Sequence, residues 1–439
     1  MELLEQIRDL EFSAPLPATL LEVEQRFDAP GLSDPAAAVR SAMVESQLLS
    51  RLKAGASVAV GVGSRGIANL PIIVKTVMEV LQAVGARPFV FPAMGSHGGA
   101  TAEGQKALLS ELGITEQNLG VEIRATMEVV QVGELREGVP LFQDRNAASA
   151  DHTLLINRVK CHTDFHGTLE SGLAKMAVIG MGKQRGATVM HALGVAGFQK
   201  YLAPAARVYE SNSNLIGGLA ILENARGETA EVVALTAAEI GGPKEMALVQ
   251  KAKALMGTLP FEEIDVLVIQ RIGKHISGTG MDTNVIGRLM IPRQPEPTGG
   301  PDIALIVVLD LAEQSCGNAA GIGLANVTTA RLVRKADWVA TYTNAITSGI
   351  FGMQRTSIPI TMADDRRAIQ VAVRCCGQRA EHARLVFIED TLHLERLWVS
   401  PNLRPVVEAH PRLSLMGEVA LEFRSDGAME SPWCLDGNA

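Results

Sequence analysis

Several kinds of segment are missing from this 439-residue chain, and each absence removes a class of function. No basic block is present: charged residues make up 20% of the chain and the formal net charge is −8, so the electrostatic footprint of a nucleic-acid binder is lacking. No apolar run is long enough for a bilayer; the longest strand-like one, IALIVVLDLA at 303–312, falls well short of the ~20 residues a spanning helix needs. The opening MELLEQIRDLEF carries acidic residues and lacks the apolar core of a signal peptide, so it reads as an ordinary first element and a cytoplasmic protein is expected. Five cysteines, with Cys375 and Cys376 adjacent, form neither a disulfide ladder nor paired CxxC zinc sites. Neither GSRG nor GSHGG is a dinucleotide fingerprint or a Walker loop, so neither signals nucleotide binding by itself.

What is present is ample apolar material, 47% of the residues, enough for two or three domain cores. The first half repeats one grammar. SVAVGV at 57–62 reads as a buried strand, followed by the turn GSRGI and a helical pattern from Asn69 to Val84 that Pro71 helps to start. PFVFPAM at 88–94 then leads through GSHGGAT into another helix. HTLLINRVK at 152–160 reads as a strand delivering His162, and short β-rich pieces between Glu122 and Gln143 suggest antiparallel additions. The second half restarts with IDVLVIQRIG at 264–273 and the glycine-rich loop KHISGTGMDTNVIGR, which offers Lys274, His275, Asp282 and Asn284 as polar contacts. The expected fold class is α/β, with two α/β domains, mainly parallel sheets and an active-site cleft between them. The expected domains are 1–258 and 259–439, with Pro260 marking the boundary. The polar ending SDGAMESPWCLDGNA is expected to fray.

The stretch from Asn157 to Gly194 concentrates chemistry. It holds His162, His166 and His191, and Lys175 inside the apolar run SGLAKMAVIGMG. A desolvated ammonium is costly and shifts its pKa, so something should compensate Lys175. Taken singly, each residue has a plain alternative: Lys175 can snorkel from a half-buried helix, the histidines can be hydrogen-bonded surface residues, and Cys161 a small buried hydrophobe. His162, His166 and Glu170 recur every four residues, as zinc ligands do on a helix. That signal is weak, because Thr163 stands where the zincin glutamate would be, and Gly167 with Thr163 and Thr168 argues against a long helix.

These residues resemble those of the lactate racemase family, whose members hold a nickel-pincer nucleotide, a pyridinium mononucleotide with nickel-chelating thiocarbonyl arms joined covalently to a lysine. In that family the tethering lysine precedes a nickel-ligating histidine by sixteen residues, which is the spacing of Lys175 and His191. GSRGI (63–67) resembles the substrate-binding arginine loop, GSHGGAT (95–101) the loop carrying one catalytic histidine, and VKCH (159–162) the site of the second. The order Arg65, His97, His162, Lys175, His191 is the family's order. The segment between His162 and Lys175 is a few residues longer than in the lactate enzyme, which marks a divergent branch.

The resemblance implies a racemase or epimerase inverting C2 of a 2-hydroxy acid by hydride transfer to and from the nickel-pincer nucleotide. It implies His97 and His162 as acid and base, Lys175 as covalent tether, His191 as the protein's nickel ligand, and Arg65 with Lys274 as the grip on the substrate carboxylate. Its implied partners are the small-molecule substrate and the proteins that build the cofactor. The alternatives are a C2 epimerase of a longer sugar acid with the same cofactor, and a non-catalytic nucleotide- or anion-binding homologue. The oligomeric state is left open, a homo-oligomer included.

Overall fold

The computed structural model describes residues 2–28, 30–64, 66–296, 299–431 and 433. In chain order the strands are β1 (Thr19–Gln25), β2 (Ser57–Val62), β3 (Arg87–Pro92), β4 (Val129–Glu134), β5 (Pro140–Asp144), β6 (His152–Arg158), β7 (Leu215–Glu223) and β8 (Thr229–Thr236). There follow β9 (Glu263–Ile272), β10 (Asp302–Leu311), β11 (Val327–Thr329), β12 (Ile360–Met362), β13 (Leu385–Ile388), β14 (Arg396–Val399) and β15 (Leu413–Ala420). The chain divides into a middle unit, Ala29–Met256, and a terminal unit made of Met1–Asp28 with Gly257–Ala439.

The middle unit is built on a five-stranded sheet in the order β3-β2-β6-β7-β8, parallel except for β8. Its strands are short continuous apolar runs; in β2 every residue after Ser57 is buried, as a parallel strand covered on both faces requires. The helix Leu70–Ala83 has Pro71 in its first turn and lays Ile73, Val74, Val77 and Leu81 into the core beside Val58, Val60 and Val90. Of the pieces expected between Glu122 and Gln143, β4 and β5 form a separate antiparallel pair, while Ile123 makes a single parallel bridge to Val90 of β3. The chain goes from β2 outward to β3 and then returns to place β6 on the other side of β2. The connections therefore diverge at the carboxyl ends of β2 and β6, which is where open α/β sheets bind ligands.

The terminal unit holds an eight-stranded sheet, β12-β11-β10-β9-β13-β14-β1-β15. The five strands from β12 to β13 run parallel, and the rest join antiparallel. This corrects the expected domain limits: the first 28 residues belong with the second half of the chain, because β1 is hydrogen-bonded between β14 and β15. The expected fraying also needs correction over the described part of the tail. Met429 is buried and donates its N–H to Asp365, and the Trp433 ring packs 5.2 Å from Trp398.

Candidate active site

The site in the middle unit grows from the loops that follow β2, β3 and β6. After β6, Asn157 donates to the carbonyl of Gly172 and fixes the start of a single helical turn, Leu173–Lys175. Buried Glu245 accepts the N–H of Ala174 and so caps this turn. The turn runs directly into a π-helical turn, Met176–Gly180, an uncommon geometry that recurs at functional sites. A side chain at Gly180 would come within 2.5 Å of the Ala93 carbonyl oxygen, so this segment presses against the end of β3 only because residue 180 is glycine.

Between β6 and that turn, residues 161–170 form a compact loop closed by mutual backbone hydrogen bonds of Lys160 and Ser171. No helix runs through it, which removes the regular every-four presentation considered for His162, His166 and Glu170. Glu170 is buried and serves the loop instead. Its carboxylate accepts the N–H groups of His162 (2.6 Å) and Gly167 (3.1 Å) and pairs with Lys253 (2.7 Å). Burial raises the Glu170 pKa, but His166, Lys253 and the two N–H groups outweigh it and hold the carboxyl below its ordinary value.

Three of the expected residues meet here around two phenylalanines. The Nε2 atom of His162 lies 2.5 Å from Lys175 Nζ. The His162 ring stacks on Phe165 at 4.3 Å, and Phe165 stacks on Phe198 at 5.3 Å. His191, on the helix Lys183–Ala192, meets Phe198 edge-on at 5.2 Å, and Lys175 Nζ stands 5.7 Å from the centres of both phenylalanine rings. One edge of His191 is exposed, yet its packing desolvates it enough to hold the imidazole pKa below its ordinary value, with the Lys175 charge acting in the same direction and Asp164 opposing.

The hydrogen bonds around His162 specify a protonation pattern. The Asp164 N–H donates to Nδ1 at 3.0 Å, and a neutral imidazole with an accepting Nδ1 carries its proton on Nε2. Nε2 and the Lys175 amine share a hydrogen bond, so the lysine nitrogen that a covalent tether would use is held beside an imidazole.

His97 follows β3, and Ser64, in the loop after β2, hydrogen-bonds its Nδ1. At Gly98 the backbone takes φ +64 and a Cβ would fall 2.5 Å from the carbonyl carbon of Gly104, so the glycine of GSHGG is required for the loop to fold against the helix Ala102–Glu111. Gly63, at the end of β2, faces Asn157 and Met176, which brings the first loop alongside the Lys175 turn. Arg65 lies outside the described residues.

Lys274 belongs to the terminal unit, in the loop after β9, where its ammonium donates to the Gly278 carbonyl (2.5 Å) and to Asn344 Oδ1 (3.0 Å). Of its neighbours in that loop, Asn284 is bonded to Asp282. At the carboxyl end of β13 in the same unit, ligand atoms of Glu389, Asp390 and His393 lie within 4.8 Å of one another, but Arg271 already pairs with both carboxylates.

Sequence reasoning did not single out Ser64, Phe165, Phe198 or Asp164. Phe165 and Asp164 stand between His162 and His166 and could have been weighed as wall and polar partner. Phe198 lies on the next helix, Gly194–Asn212, and carried no signal until Phe165 was seen to stack on it.

Among the described residues no helix is long and apolar enough to cross a membrane. Residues 15–200 match the lactate racemase N-terminal domain. A comparison with curated protein sequences finds no match. Among solved structures, the chain is similar to the lactate racemase apoprotein from Thermoanaerobacterium thermosaccharolyticum, at 12% identity and a TM-score of 0.47 over 85% of this chain and 98% of that one. It is also similar to a protein from Thermotoga maritima, at 13% identity and a TM-score of 0.45 over 64% of this chain and 71% of that one. The residues that match the lactate racemase N-terminal domain, 15–200, span the loops of His97 and His162, the Lys175 turn and His191.

Proposed function

We propose that this protein inverts the configuration at C2 of a 2-hydroxy acid, with a nickel-pincer nucleotide tethered to Lys175 and ligated through nickel by His191. The observation that carries the reading is the meeting of the Lys175 amine, the His162 ring and the His191 ring around Phe165 and Phe198. The donor chemistry fits the group: an amine held beside an imidazole nitrogen, a second imidazole biased toward the neutral, ligating state, and an aromatic wall suited to a flat ring.

When bound, the cofactor supplies a hydride acceptor, which spares the protein from removing the weakly acidic α-proton of a carboxylate. What remains for the chain is the hydroxyl proton and the placement of the carbon. His162, with Nδ1 occupied by a backbone N–H, exchanges its proton through Nε2, the nitrogen directed at the Lys175 tether. His97, with Nδ1 held by Ser64, offers Nε2 in the same way from the neighbouring loop. Imidazole is the side chain suited to alternate as base and acid near neutral pH, and losing either histidine should cost about 10²- to 10⁴-fold in turnover. Arg65 is assigned the substrate carboxylate.

The test is stereochemical. Protein produced beside the cofactor-building proteins is given single enantiomers or epimers of 2-hydroxy acids, from lactate to aldonic acids, in deuterated water. The expected result is inversion of at least one substrate with the C2 hydrogen retained. Deuterium appearing at C2, or no inversion across the panel by protein that carries the cofactor, overturns the reading.

A further inference from the structure

A second lysine in the same segment does different work. Lys183 is fully buried, and it takes a left-handed backbone conformation, φ 55, which non-glycine residues adopt only when their surroundings enforce it. Its ammonium has three partners. It donates to the Pro92 carbonyl at the end of β3 (2.5 Å) and to Gln105 Oε1 (2.9 Å), and it pairs with Asp144 Oδ2 at the end of β5 (3.0 Å). Enclosed by these three partners and sealed from solvent, Lys183 is not presented to a ligand.

Its effect passes through Gln105, which is also fully buried, on the helix Ala102–Glu111. An ammonium can only donate, so the oxygen of the Gln105 amide must face Lys183 and the nitrogen must face the other way. That nitrogen donates to the carbonyls of Gly95 (2.9 Å) and His97 (3.3 Å). On the opposite side of the loop, the Gly95 N–H donates to the Gly180 carbonyl in the π turn that follows Lys175. The strand-to-helix loop is thus fastened at both sides, and both fastenings lead back to the segment that bears Lys175.

We propose that Lys183 and Gln105 are positioning residues for His97: the buried cation fixes the amide of Gln105, and that amide clamps the backbone of the GSHGG loop so that the imidazole stands against Ser64. The inference rests on the acid/base role proposed above for His97 and deepens it. A displacement of about 1 Å at a reacting group can cost about 10²-fold in rate, so a clamp on the backbone of His97 is felt in turnover although Gln105 touches no substrate.

The test uses Gln105→Met, which keeps the volume and leaves Lys183 with Pro92 and Asp144 but cannot donate to the loop. Its control is Leu109→Ala, which opens the core on the same helix without touching the clamp. Two readouts are taken: kcat and KM of the cofactor-bearing protein, and the ring ¹⁵N resonances of His97 in the protein without cofactor, assigned by their loss in His97→Gln. For Gln105→Met the expected result is a fall in kcat of about 10²-fold with KM within about twofold, together with shifted His97 ring signals. For Leu109→Ala it is a lower melting temperature with the His97 signals in place. Gln105→Asn, whose amide is too short to span both partners, serves if the methionine variant does not fold. The proposal is overturned if Gln105→Met leaves the His97 signals unmoved, or if Leu109→Ala moves them equally. If wild-type protein inverts no substrate while Gln105→Met still moves the His97 ring, the clamp stands and the functional reading falls.

Discussion

Lys175 and Lys183 stand in one short glycine-rich segment, and the structure gives them opposite surroundings. Lys183 is sealed from solvent, paired with Asp144 and hydrogen-bonded to Pro92 and Gln105. Lys175 is half-buried and faces an imidazole nitrogen and two aromatic rings. Burial lowers the pKa of Lys183 and raises that of Asp144, and the attraction between them opposes both shifts. A cation with an acid beside it is a strut. An amine with an imidazole beside it is a reagent. Proximity in sequence and similar apolar flanks say nothing about which is which; the partner decides.

The largest expected contrast is in function. Lys175→Ala should abolish inversion and the covalent adduct together, while its unfolding midpoint in urea stays within about 1 kcal/mol of wild type, because a half-buried side chain facing rings leaves no buried charge behind. Lys183→Met should show first in stability: removing one partner strands the Asp144 carboxylate, at a cost of about 3–5 kcal/mol in the same denaturation measurement. Adding Asp144→Leu to it should return part of that loss, though not the cap that Asp144 provides to Ala147. Equal destabilisation by Lys175→Ala and Lys183→Met would erase the distinction between the two sites.

A chemical probe sharpens it. Brief treatment of the cofactor-free protein with an amine-acylating reagent at neutral pH, followed by peptide mapping, should label Lys175 and leave Lys183 protected, since one is partly exposed beside an imidazole nitrogen and the other has no solvent exposure. Labelling of Lys183 at a comparable rate would show that the segment opens.

The same contrast was only half legible in the sequence. The argument that a lysine in an apolar run needs compensation is sound, but it singled out Lys175 and passed over Lys183, whose neighbours Gln184 and Arg185 make it look like a surface residue. The compensating Asp144 and the bridging Gln105 lie far upstream and come together only through β3 and β5. Strands of the parallel sheets were readable because each is a bounded apolar run, and the loops bearing His97 and His162 were readable as strand ends. Pairing across the whole chain was not: TLLEVEQ at β1 alternates like any half-buried strand, and nothing in it says that its partners lie beyond residue 395. Met429 and Trp433 sit in a polar stretch that reads as loose, yet both are buried.

The smallest expected effect comes from an ion pair outside both lysine sites. His393 hydrogen-bonds Asp390, which raises its pKa in the folded protein against partial desolvation. A raised value means stabilisation that is complete below the unfolded value of about 6.5 and is lost as pH rises through the folded one. The ring is more than half exposed, with a side-chain exposure of 54%, so the contribution should stay under about 1 kcal/mol. Urea midpoints of wild type and His393→Ala should therefore differ at pH 6 and converge at pH 9; a constant difference would assign His393 a packing role instead.

The division of labour between the two lysines is tested most directly by peptide mass mapping of protein produced beside the cofactor-building proteins. The account predicts a mass addition confined to Lys175, absent in Lys175→Ala and retained in His191→Ala. Nickel bound with no addition at Lys175, or an addition carried by Lys183, would contradict it.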